Sequence, residues 1–320
     1  MQTSLTTEQA RTVSSLLIAG SIVAGLVMPS LAAMLAPHVL TALFFVVIFS
    51  LNTQALSPAA LLKTPDSFTG LLLIWQMGGV PLVVTLLAVG AEIDPTVTAI
   101  LIAITTAGSV FASPALVQVI GLNRQIAVRG MIVSTCIMPV SVLVFGEING
   151  VLPLDLNFID YGAHIVTFIV LPIVISSGFW KLKSAMGAEA RVSMQQGMHW
   201  LSTAALMIFC AGMMQEIHTH KDEHFDDLLF YGVVALTMAV VMYAMTVAVF
   251  YSYGPEHAMT AGILVANRNV ALSFALLSSV FPPEVMTFVA VSQFPIFLTP
   301  LFMRLYNMLR ALHERRALTG

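Results

Sequence analysis

Met259-Thr-Ala-Gly-Ile-Leu-Val-Ala266-Asn267-Arg268-Asn269-Val270-Ala-Leu-Ser-Phe-Ala-Leu-Leu277 reads as a segment that crosses a membrane with three polar residues at its centre. An arginine near the bilayer midplane costs on the order of 2.5–3.5 kcal/mol on the insertion scale, so it is kept facing a cavity or a partner. Asn267 and Asn269 add donors and acceptors that lipid cannot satisfy. The stretch therefore predicts a polar site at mid-membrane.

The rest of the chain agrees. Of 320 residues, 58% are hydrophobic and 9% charged, with a mean hydropathy of +0.93. Soluble domains carry about 25% charged residues, so the reading is an all-α polytopic membrane protein. A net charge of -3 gives no footprint for nucleic acid. The two cysteines, Cys136 and Cys210, fall within apolar spans and read as reduced packing residues. Apolar windows of roughly the length the hydrocarbon core demands fall at 13–35, 37–51, 68–91, 95–120, 124–145, 158–180, 197–215, 226–252, 256–280 and 284–309. The second is short; the fourth and ninth are interrupted.

Ten crossings leave both termini on one side, and basic residues choose it. Arg11, Lys63, Arg124, Lys181, Lys183, Arg191, Arg310, Arg315 and Arg316 fall in loops or tails of one face, with Arg129 and Arg304 close by. The opposite loops hold Lys221 alone among many carboxylates, including the acidic loop His218–Asp227. The positive-inside rule puts both termini in the cytoplasm, with a bacterial inner membrane as the expected location and lipid as a partner. The acidic connection near Gly146–Asn157 divides the spans five and five: residues 1–150 form a first repeat and 151–320 a second. Five is odd, so the second copy is inverted, as in many secondary transporters. Gly108 to Ala115 in span four can be set beside Gly262 to Asn269 in span nine, pairing Gly108 with Gly262 and Ala112 with Ala266. Pro114 and the Asn-Arg-Asn run are then breaks in corresponding helices, the best sequence pointer to a transport site.

Three stretches resemble the bile acid:sodium symporter superfamily over nearly the whole chain: Trp75-Gln76-Met77 ahead of Pro81, Ala112-Ser113-Pro114-Ala115 to Val133-Ser134-Thr135-Cys136 with Pro139, and Leu264 to Asn269. The resemblance implies a core of spans 3–5 and 8–10, in which broken helices four and nine cross, and a panel of spans 1, 2, 6 and 7. It also implies a substrate crevice between them and two sodium ions behind the crossing. The sodium ligands are degenerate here. The family's shared glutamate falls at Leu264, its asparagine at Pro114, its span-five hydroxyls at Ala127 and Met131, and its span-nine glutamine at Arg268; Ser113 and Gln76 remain. A guanidinium about 4 Å from a sodium ion opposes it by roughly 4 kcal/mol at an effective dielectric of 20, nearly three decades of affinity.

The expectation is a secondary active transporter of a small organic anion, working by alternating access, with Arg268 replacing a bound cation and no cofactor. Its substrate site would be Arg268, Asn267, Asn269, Ser113, Pro114 and Gln76. Arg129 stands at the inner mouth or as an interfacial anchor, Thr135 lies on span five, and His164 is the titratable group inside span six. The alternatives are an efflux permease of the auxin-carrier or arsenite-carrier type and a transporter-derived ligand sensor. The spans hold no nucleophile–base set, so no enzyme is expected.

Overall fold

The structure is a computed structural model that describes residues 7–52, 66–111, 113–120, 122–151, 158–220, 225–277 and 287–296. Among these residues every regular element is a helix. Six helical stretches are long and apolar enough to cross a membrane: Pro29–Phe49, Ser67–Gly90, Arg124–Ile148, Ile159–Ala185, Ala188–Thr219 and Leu228–Tyr253. Large apolar side chains such as Leu86, Val89, Val174, Leu229, Leu236 and Val240 point outward, as a hydrocarbon solvent requires and water would not allow. The chain is an integral membrane protein.

Helix α1 (Thr7–Val27) ends where Pro29 opens α2 (Pro29–Leu35), which runs through a 3₁₀ turn into α3 (Val39–Asn52). The expected boundary between 35 and 37 thus moves to Met28, and the second span is full length. Hydropathy cannot see that boundary, because the residues on both sides are apolar; a proline's missing N–H makes it. Pro29 leaves the Gly25 carbonyl without its helical donor, and His218 Nε2 takes that carbonyl at 2.8 Å. His218, expected in the acidic loop, is therefore in the last turn of a helix. Replacing it with leucine should lower stability by about 1–3 kcal/mol, the cost of an unsatisfied buried carbonyl; an unchanged thermal midpoint in detergent would count against this capping role.

The third span is α4 (Ser67–Ile74), a π-helical turn (Trp75–Gly79) and α5 (Val80–Gly90). Pro81 again explains the irregularity. It offers no N–H to Gln76 at π spacing or to Met77 at α spacing, so both carbonyls seek other donors. Ser141 Oγ reaches the Met77 carbonyl at 2.7 Å. Next come α6 (Pro95–Thr106), α7 (Ser113–Ile120) and the long α8 (Arg124–Ile148). Asp94 and Asn123 cap α6 and α8 by accepting from first-turn amides. The chain continues with α9 (Phe158–Ile165), a second π turn (Val166–Val170) ahead of Pro172, α10 (Leu171–Ala185) and α11 (Ala188–His220). The last elements are α12 (Phe225–Phe250), α13 (Pro255–Ala266), α14 (Val270–Leu277) and α15 (Thr287–Ile296).

Side-chain contacts fix the directions. Asp66 meets Arg129 at one end of the third span and α8, while Asn149 donates to Thr85 at the other, so the two run parallel. A complete crossing by α6 and α7 must lie between them. Phe68 touches both Phe250 and His257, and Trp75 donates to Thr246, which sets α12 antiparallel and α13 parallel to the third span. Consequently α6 starts at the Thr85 end and α13 at the Asp66 end, and the two 12-residue helices approach from opposite sides. Two packing groups result. Helices α1, α2, α3, α10 and α11 pack on one another, the third span packs with α8, and α6, α7, α13 and α14 interlock with α8. The groups meet where α14 touches α3, α9 and the second π turn, and where Tyr161 donates to the Pro139 carbonyl at 2.7 Å.

Candidate functional site

The two broken spans cross as extended backbone. Ser109 and Arg268 form an isolated antiparallel bridge: Val110 N–H donates to the Asn267 carbonyl at 2.8 Å and Asn269 N–H to the Gly108 carbonyl at 2.7 Å. Four helix ends converge here, the C-termini of α6 and α13 and the N-termini of α7 and α14. Their opened amides and carbonyls are tolerable at this depth only because each segment satisfies the other. The first break lies at Ala107–Phe111, ahead of Pro114, which occupies the second position of α7 where a missing N–H does no harm. Both broken spans open on a 12-residue helix, α6 ending at Thr106 and α13 at Ala266.

Arg268 is the largest side chain among the fully buried described residues, at 1% exposure. Its Nε donates to the Val265 carbonyl at 2.7 Å, Nη1 to the Ala107 carbonyl at 2.8 Å and Nη2 to the Gln76 carbonyl at 3.1 Å. Each acceptor has lost its helical donor for a legible reason. The Asn269 amide that would serve Val265 bonds Gly108 instead; Ala107 has left the helix at φ -62°, ψ 146°; Gln76 precedes the proline of a π turn. One planar cation thereby ties three segments together through charge-assisted bonds.

Around it runs a chain of small polar groups. Gln76 Nε2 donates to Ser109 Oγ at 2.8 Å, Ser109 Oγ to the Leu264 carbonyl at 2.9 Å, and Ser134 Oγ accepts from Ser109 N–H at 3.1 Å. Ser109 and Ser134 had no role assigned from sequence, although a Gly-Ser pair in an apolar span marks a place where backbones come close. A Cβ on Gly108 would stand 3.1 Å from the Thr135 backbone, and Thr135 itself bonds the Met131 carbonyl. Asn269 Oδ1 caps α14 through Leu272 N–H, and Asn267 Nδ2 folds back to the Ile263 carbonyl. Of the seven buried side-chain polar atoms without a partner among the described residues, three belong to the expected site: Gln76 Oε1, Ser113 Oγ and Asn269 Nδ2. Leu264 is fully buried, its side chain beside Gly130. A small cavity of about 40 Å³ adjoins the break, lined by Asn267, Arg268, Ile104, Ala239, Met242 and Ser292 among others; it has room for ordered water.

The outlying candidates lie elsewhere. Arg129 Nη1 is 3.5 Å from Asp66 Oδ2 and is partly buried at the end of α8. The hydrogen bond from the Thr69 N–H, with Arg129 and His257 nearby, holds the Asp66 carboxyl below its ordinary range against the opposing effect of partial burial. His164 Nδ1 pairs with its own helix at the Asp160 carbonyl and stacks on Phe168. Arg304 and Lys63 lie outside the described residues.

Chemically, the crossing is a fixed positive centre. Each guanidinium nitrogen is engaged by a carbonyl, so the side chain cannot swing out without breaking three bonds. No protein-family model matches the sequence, and no curated protein matches it.

Proposed function

We propose that this chain is a secondary transporter of a small organic anion, working by alternating access between a panel and a core. The observation that carries the reading is the pair of interrupted helices crossing as extended backbone around a buried, permanently charged side chain. Broken backbone at membrane depth is the hallmark of a solute pathway. The equal lengths of α6 and α13, each opened by a proline and entering from opposite sides, support an inverted five-plus-five repeat over 1–150 and 151–320. The packing groups support a panel of spans 1, 2, 6 and 7 and a core of the rest. The three resembling stretches meet around the crossing, which supports a relation to the bile acid:sodium symporter superfamily.

In this reading Arg268 replaces a bound cation. Asn269 Nδ2 and Ser113 Oγ, buried and unpartnered, donate hydrogen bonds to the solute, and Gln76 lines the opposite wall with its Nε2 held by Ser109. The two helix N-termini and two C-termini at the crossing offset one another, so it is the guanidinium charge that favours an anion. The basic loops put both termini in the cytoplasm of a bacterial inner membrane. Among the described residues, panel and core touch through α14 on the acidic side.

The test begins with a thermal-shift screen of small carboxylates and sulfonates, followed by uptake of the best stabiliser into proteoliposomes. The initial rate should be the same with and without an inward sodium gradient. Strict sodium dependence would show that a mobile cation still binds, and an absence of any transported anion would remove the transporter reading itself.

A further inference from the structure

The count of donors and acceptors at the crossing is matched in an unusual way. Three carbonyls from three chain segments have each lost their backbone donor, and three nitrogens of one planar cation meet them at 2.7, 2.8 and 3.1 Å. The acceptors are displaced by features independent of Arg268: a proline in the third span, the extended Ala107, and the exchange of the Asn269 amide to Gly108. Such a cage persists as geometry when its occupant is shortened. A spherical alkali ion gathers oxygens from all sides, whereas these three carbonyls meet N–H donors of one planar group.

We infer that the helix crossing is a guanidinium-binding site, formed by the carbonyls of Gln76, Ala107 and Val265 and filled in this protein by its own side chain. Truncating Arg268 empties it and makes it a receptor for the free guanidinium ion. The neighbouring cavity along Asn267 and α12 gives a small solute space beside the cage, and Gln76 Oε1, buried and unpartnered, offers a further acceptor. The inference deepens the tethered-cation part of the transport proposal. Its readout is stability, so its failure leaves anion uptake untouched and a failure of uptake leaves it standing.

The experiment compares thermal midpoints of purified wild-type protein, Arg268→Ala and Arg268→Lys in detergent. Guanidinium chloride is titrated well below denaturing concentrations, with urea as the neutral planar control and sodium and potassium chloride as salt controls. Arg268→Ala should melt several degrees lower than wild type and recover part of that loss with guanidinium alone. At a hundredfold excess over its dissociation constant, bound guanidinium should raise the folding equilibrium about 100-fold. Wild type should gain nothing. Arg268→Lys, whose ammonium still occupies the cage, should fall between the two and respond weakly; it also serves if the alanine variant does not accumulate. Equal responses to guanidinium and urea, equal responses in wild type, or recovery by sodium or potassium as large as that by guanidinium would each overturn the inference, as would a lysine variant that guanidinium stabilises more than the alanine one.

Discussion

Arg268→Leu should be the most damaging single substitution in the polar centre, lowering stability by several kcal/mol and abolishing uptake. Leucine fills much of the apolar volume but supplies no donor. The carbonyls of Gln76, Ala107 and Val265 would then sit unsatisfied in a site that is 1% exposed at the arginine. Each buried acceptor left without a donor costs about 1–3 kcal/mol. The three losses will not add in full, because water from the adjoining cavity can reach some of them. A second consequence follows from position. The guanidinium joins the third span to both broken helices, so its loss removes the tie to the third span, while the backbone bonds between Gly108–Val110 and Asn267–Asn269 still hold the extended segments together. Arg129→Leu is the control. Its ion pair with Asp66 is partly exposed, and such pairs contribute little, about 0–1 kcal/mol. Thermal or denaturant unfolding in detergent compares the two. Wild-type stability in Arg268→Leu would mean that the bonds to the three carbonyls contribute nothing, and the fixed-cation reading would go with them.

The polar centre was legible because an arginine between two asparagines has no business in an apolar span, and that conflict survives any error in the count of spans. What the side chain touches was not legible. Its partners are backbone carbonyls, and every residue has one; only the prolines and helix ends determine which are free. Pro81 had been read as part of a motif, while its physical effect is to release Gln76 and Met77 to donors from α8 and the crossing. The position of the first break was illegible for a related reason. Gly108 and Gly262 look equivalent because small residues recur wherever membrane helices pack tightly. The helix starts at Pro95 and Pro255, which small-residue spacing does not report, set where α6 and α13 end, at Thr106 and Ala266. The Met28 boundary and the helical position of His218 show the same limit: hydropathy measures what lipid tolerates, and a proline between apolar residues is invisible to it.

Gly25→Ala should destabilise the protein by about 1–3 kcal/mol, the range for overpacking a closed interface, although the same change normally favours a helix by roughly 1 kcal/mol. A Cβ at Gly25 would stand 2.7 Å from the Ala211 carbonyl oxygen and 2.9 Å from its Cα, which are backbone atoms that cannot rotate away. Helices α1 and α11 would have to separate, and separation also stretches the bond from His218 to the Gly25 carbonyl. Gly212→Ala should act similarly where α11 packs on the second span, with a Cβ 2.7 Å from Val39 Cγ2 and 2.9 Å from the Leu35 carbonyl oxygen. Gly20, five residues earlier on α1, has nothing within 4 Å of its would-be Cβ, so Gly20→Ala should be neutral or slightly stabilising. The contrast isolates close approach from helix propensity, since all three substitutions add the same methyl to a helix. If panel and core move as two bodies, tightening or loosening the α1–α11 contact changes the panel alone. Gly25→Ala should then leave the guanidinium response of Arg268→Ala intact in the double variant, with the two losses of stability adding. Strong non-additivity would mean that the panel interface and the crossing are one cooperative unit, and rigid-body movement between them would have to be abandoned.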